Sequence, residues 1–226
     1  MRWSGPWIIV GRTLVANRLL AGSACGKRQR GRPLNAIVRF NLAECSSTVR
    51  KIIAAFLLAP TVVLAGWINK SGETLPESDN RKAVGTFGAQ LVFVANEDEL
   101  FKRWNTPSET VDISSIDKVA VNGAINAFII FSGCTADKSG NCSVSMRFRV
   151  LQPDGKVYAE TPPMEVWDEK PAPPGRSLEL SVQYLKVVIE PKDQLGKYVV
   201  YAQVRDDRSG VVLQLNGPFT AVRASK

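Results

Sequence analysis

From Ile116 to its end this chain alternates apolar and polar residues in short runs, each closed by a turn-forming cluster. Val144, Met146, Phe148 and Val150 alternate with Ser145, Arg147 and Arg149. Tyr198, Val200, Ala202 and Val204 form a second such row. A period of two sends one set of side chains to each face of a strand, so each run predicts one buried face and one wet face. Asn122-Gly123, Gln152-Pro153-Asp154-Gly155 and the run from Asp206 to Gly210 supply the turns between strands. Strands are predicted at 89–94, 118–121, 125–132, 144–150, 156–160, 198–204, 211–215 and 218–222, with a short edge piece at 164–167. Leu178, Leu180, Val182 and Tyr184 form a further inward row, and the apolar pair Tyr184-Leu185 predicts a bulge that re-aims it. Seven to eight strands with turns about every 8–12 residues predict a mainly β chain, an antiparallel β-sandwich.

One short helix is expected near the N-terminal edge of that domain. Asn96 is its cap, Glu97, Asp98 and Glu99 fill its first turn, and Lys102 and Arg103 stand near its end. Those charges suit the two ends of the helix dipole.

Ahead of the β region, Arg50 and Lys51 precede an uncharged, mostly apolar run at 52–64, which closes on Val63-Leu64-Ala65. Positive charge, apolar core and small residues in that order are the pattern of a secretory signal peptide over 49–65, cleaved between Ala65 and Gly66. The run is too short for a membrane span, so no stable membrane insertion is expected after cleavage. A signal peptide should open a chain. Val49 offers a start, since bacteria initiate at codons otherwise read as valine. Residues 1–48 are then an untranslated or disordered basic extension, or else a real basic arm. Residues 66–86 read as a flexible lead-in, and 87–226 as the folded domain. The expected location is the periplasm or the exterior.

Charge follows the same division. The chain carries +8, with 29 basic and 21 acidic residues. Eight basic residues and one acid lie before residue 49, and Arg50 and Lys51 follow, so residues 66–226 hold 19 basic and 20 acidic groups. That part is near neutral with its signs mixed, which argues against a nucleic-acid partner. Within it only Cys134 and Cys142 are cysteines, with seven residues between them that include Gly140-Asn141. In an oxidising compartment they are expected to close a small disulfide loop.

Catalytic chemistry finds little footing. The chain has no histidine, so a Ser-His-Asp triad, a Cys-His pair and the usual zinc hydrolase site are all absent. No cofactor or metal is expected. Glu97, Asp98, Glu99, Asp168 and Glu169 are the acids a glycosidase would need as a pair, and they leave a carboxylate-based glycan hydrolase as the alternative. The stretch from Asp137 to Asn141 has oxygen donors around Gly140 but lacks the alternation and distal acid of a calcium loop, and reads as a hairpin tip. Trp104 follows Phe101 on one helical face, a packing arrangement; Trp167, beside Asp168 and a Pro-rich loop, is the better candidate contact residue.

The stretch from Asp193 to Tyr198, followed by the apolar row to Val204, Asp206 and Gly210, resembles the immunoglobulin-like domains of bacterial exported proteins. Gly196 two residues before Tyr198 looks like the tyrosine-corner region of that fold; Val200 stands where antibody domains carry a cysteine. Residues 87–224 are similar to a set of small uncharacterised bacterial secreted proteins, in Phe101, Trp104 and segments 128–134, 151–158 and 195–206. The resemblance implies an immunoglobulin-like β-sandwich and export, and no particular activity. The expected function is a non-enzymatic binding module for a protein or cell-surface partner, touching it through Trp167, Asp168 and Trp104. A structural subunit of an exported assembly is the remaining alternative.

Overall fold

The computed structural model describes residues 7–10, 13–16, 67–68, 73–106, 113–175 and 177–224. The chain divides into two compact units, Met1–Leu19 with Val63–Lys226, and Leu20–Val62; the second lies outside the described residues. In chain order the first strands are β1 (Trp7–Val10), β2 (Thr13–Ala16), β3 (Trp67–Ile68), β4 (Thr74–Leu75), β5 (Arg81–Val84) and β6 (Phe87–Val94). Helix α1 (Glu97–Trp104) follows, then β7 (Lys118–Ala120), β8 (Ala124–Ser132), β9 (Asn141–Leu151), β10 (Val157–Glu160) and β11 (Met164–Pro171). The chain ends with β12 (Glu179–Leu180), β13 (Leu185–Val188), β14 (Gly196–Asp206) and β15 (Val212–Val222).

The fold is mainly β and is built from two main sheets, with β3 and β4 paired as a separate two-stranded ribbon. The first runs β2-β1-β13-β8-β6-β5, with β12 also beside β8; the second runs β10-β9-β14-β15-β7, with β11 also beside β9. Neighbours pair antiparallel except β1 with β13 and β7 with β15. The alternate residues of β9, β14 and β15 turn inward as the sequence predicts, and meet Leu91, Phe93, Ile125, Ile129 and Phe131 of the first sheet in one core. Phe219 stacks on Tyr198 at 5.2 Å between ring centroids and meets the edge of Phe93 at 6.3 Å, which joins the two sheets directly. Full burial of a side chain this size contributes roughly 1.5–3 kcal/mol, so this shared core dominates the stability.

Strand β8 is buried on both faces. Its second face, Phe128 and Ile130, lies under α1, where Leu100, Phe101 and Trp104 close a smaller apolar cluster with Val92, Val94, Leu180 and Tyr184. The helix starts where predicted: Asn96 is its cap, and the Asn96 side chain accepts from the Glu99 amide at 3.1 Å.

Several expectations are corrected. Within 87–226 there are ten strand segments, β6 to β15, rather than seven or eight, and among the described residues five more, β1 to β5, precede residue 87. The two expected pieces 211–215 and 218–222 are one strand, β15, continuous through Gly217 and Pro218. The expected edge piece at 164–167 extends to Pro171 with two register shifts against β9. The inward row from Leu178 to Tyr184 does not form. Leu178 and Val182 are exposed while Ser181 and Gln183 are buried. The Ser181 amide and hydroxyl both bond the Ile129 backbone, and that pairing fixes the phase against the apolar pattern. Within the lead-in, Arg81–Val84 pairs with β6. Within residues 1–48, β1 pairs in parallel with β13, from Trp7 opposite Leu185 to Val10 opposite Val188. The segment 49–65 and the Ala65–Gly66 bond lie outside the described residues.

Candidate functional site

Because β9, β14 and β15 alternate strictly, their outer residues assemble a second surface. Arg147 lies opposite Gln203, which lies opposite Gln214; in the next row Arg149, Tyr201 and Asn216 stand side by side. Glu160 of β10 pairs with Arg149 at the rim. Arg147, Arg149, Tyr201, Gln203, Gln214 and Glu160, with Leu151 and Thr161, line a concavity of about 510 Å³. Arg147 Nε donates to Gln203 Oε1 at 2.7 Å, which fixes the plane of the guanidinium. Arg149 is ion-paired to Glu160, and Arg205, one row further along β14, to Asp207. Among the described residues, Arg147 has no carboxylate partner, and neither the Tyr201 hydroxyl nor the Gln214 amide makes a hydrogen bond within the chain. Tyr201 is 42% exposed. The surface therefore presents unspent donors around one aromatic ring.

A second cluster ties down the end of the sandwich. Cys134 and Cys142 form the expected disulfide. Beside it Asp206 is fully buried, and its carboxylate accepts from the amides of Thr135 at 2.9 Å and Arg208 at 3.1 Å and from the Ser209 hydroxyl at 2.7 Å. Burial pushes the Asp206 carboxyl up, but the donors from Thr135, Ser209 and Arg208 outweigh it and hold the group below its ordinary value. Arg208 in turn reaches Asp137 at 3.2 Å and Glu169 at 3.4 Å.

The structure spends Trp167 on packing. Its ring meets the edge of Phe131 at 5.8 Å, its indole N–H donates to the Pro171 carbonyl at 3.2 Å, and the Lys170 ammonium lies 4.7 Å above it. Asp168 follows it in β11, half-buried. Trp104 sits with Phe101 on the side of α1 that packs against the first sheet, on the opposite face of that sheet from Phe131. The three candidate contact residues are thus not brought together.

The candidate acids are also dispersed. Glu97 is held by Lys186 at 2.5 Å and by the Asn126 amide at 3.0 Å. Burial pushes the Glu97 carboxyl up, and the Lys186 ammonium, its own backbone amide and the Tyr184 hydroxyl bring it net below its ordinary value. Glu99 pairs with Arg103 along the helix at 2.5 Å, and Glu169 with Arg208 at the disulfide end. Among the described residues no group of three or more His, Cys, Asp or Glu side chains is arranged to hold a metal ion, and no helix is long and apolar enough to cross a membrane.

No family model matches this chain, and no curated protein does. Among solved structures it is similar to a family 123 glycoside hydrolase from Clostridium perfringens, with a TM-score of 0.34 and 10% identity over 62% of this chain and 28% of that one. It is also similar to an alkylpurine DNA glycosylase of Pseudomonas fluorescens bound to DNA containing an abasic-site analogue, with a TM-score of 0.30 and 14% identity over 48% of this chain and 28% of that one. The chain spans little more than a quarter of either protein, and neither likeness bears on what it does.

Sequence reasoning marked Arg147 and Arg149 as outward-facing and stopped there. The signal that would have found the site is the polar composition of three outward rows; their adjacency depends on strand order, which a sequence pattern does not contain.

Proposed function

We propose that this chain is an exported binding module of immunoglobulin-like type, and that it engages its partner through the outer face of β9, β14 and β15 rather than through Trp167. The observation that carries the reading is exposed Tyr201 beside Arg147 and Gln214, which among the described residues have no carboxylate and no hydrogen-bond partner respectively. A sheet face that lacked a partner would need only scattered charge for solubility, whereas fixed guanidinium and amide groups beside an aromatic ring are the usual furniture of a recognition surface.

The immunoglobulin-like reading is supported by two features. The chain passes from β6 in the first sheet to β7 in the second, where β7 runs parallel to the last strand. Tyr198 also donates its hydroxyl to the Gln194 carbonyl at 2.9 Å, the bond expected of a tyrosine corner. Export is supported by the disulfide. The separate ion pairs of Glu97, Glu99 and Glu169 weigh against a two-carboxylate hydrolase.

The test is affinity capture from the cell envelope and exported fraction, with the natural protein and its Tyr201→Ala variant as baits. A ligand retained by the first and lost by the second is the expected outcome. Identical retention by both would end the assignment to this face. The intact mass of the natural protein, with and without reduction, tests export separately.

A further inference from the structure

Resting on that reading of the face, we infer that its ligand is an acidic glycan, a chain of sugars bearing carboxylates. From Val199 to Arg205 the central strand β14 is paired on both sides, with β9 and with β15, so its backbone offers no free edge and recognition at Tyr201 and Gln203 falls to side chains. That disfavours an extended peptide, which docks on sheets through main-chain bonds at an edge.

The side chains available are of three kinds. Tyr201 offers a half-exposed ring with Leu151 near it, an apolar platform for the C–H face of a sugar. Gln203 and Gln214 offer planar amides able to donate and accept, which suits vicinal hydroxyls. Arg147 offers a guanidinium oriented by Gln203 and opposed by no carboxylate. A planar fork of donors in that state matches a carboxylate in bidentate fashion. The other two arginines of the face, Arg149 and Arg205, are neutralised by Glu160 and Asp207, so one unmatched positive charge stands beside the ring. A neutral glucan would leave that charge unused, and a featureless polyanion would leave the ring and amides unused. The rows from β9 to β15 span two inter-strand gaps, about 10 Å, the breadth of a short oligosaccharide.

The experiment is isothermal titration of the protein purified from its native source with three probes: a galacturonate hexamer, cellohexaose and hexaglutamate. The hexauronate is expected to bind at least about tenfold more tightly than either control, and to lose roughly tenfold or more in Arg147→Gln and in Tyr201→Ala. Equal binding of hexaglutamate, or hexauronate binding that neither substitution weakens, would overturn the inference. Failure to bind hexauronate while envelope capture still depends on Tyr201 would overturn it and leave the binding face standing. Loss of both dependences would remove the face as well. Circular dichroism of both variants, expected to match the natural protein because the two side chains are surface groups, separates lost binding from lost folding.

Discussion

Asp206 is a buried carboxylate that joins two loops far apart in the chain, and Asp206→Ala should expose how much that junction contributes. The side chain accepts from Thr135, Arg208 and Ser209. The Arg208 amide lies in an exposed turn and would regain water, so little of its bond is lost. The Thr135 amide, next to Cys134, is the costly one. A bond to a charged acceptor contributes about 1.5–3 kcal/mol; Ser209 is exposed and its hydroxyl regains water as the Arg208 amide does, so the Thr135 bond sets the loss at about 1.5–3 kcal/mol. Urea unfolding at neutral pH reads this directly, and Asp206→Asn, which keeps one acceptor oxygen, should recover part of it. The pH dependence gives a second check. The carboxyl is held below its ordinary value in the folded chain, against about 3.9 when unfolded. Its contribution is therefore complete above about pH 4 and is lost as pH falls through the folded value, so the natural protein and the Asp206→Ala variant should converge in stability on acidification. A loss below about 1 kcal/mol at pH 7, or parallel pH profiles, would refute the reasoning.

Gly217 leaves room for Phe93: a methyl there would stand 2.7 Å from the Phe93 ring, so Gly217→Ala should cost about 1–3 kcal/mol in thermal or denaturant unfolding. Replacing Cys134 and Cys142 by serine should cost about 2–3 kcal/mol and abolish the sensitivity of the melting temperature to reductant. Lys186→Met removes the cation beside Glu97, leaving burial to dominate, so the Glu97 carboxyl should titrate higher in an NMR titration. Tyr198→Phe deletes the hydroxyl bond to Gln194 and should cost about 1 kcal/mol at unchanged fold, measured by the same urea assay.

Much of the architecture was written locally. The alternation at β9 and β14 predicted both the strands and their buried faces, since a period of two is imposed by the pleat itself. Asn96 and the acids behind it predicted the helix start, because orphan amides need an acceptor within a few residues. Gly140-Asn141 and two lone cysteines predicted the disulfide for the same reason of short range. The segment from Leu178 to Tyr184 shows where local pattern fails: a backbone pairing of Ser181 with Ile129, fifty-two residues away, overrode an apolar alternation. The fate of Trp167 was equally hidden, because its neighbour Phe131 comes from another sheet. The candidate face follows the same division. Sequence alone determined that Arg147 and Arg149 point away from the core, and the inward row from Tyr198 to Val204 left Tyr201 and Gln203 for the other face. Only tertiary structure decided that they stand side by side, since β9 pairs with β14 across more than forty intervening residues and that order is set by burial of the shared core rather than by any neighbour in the chain.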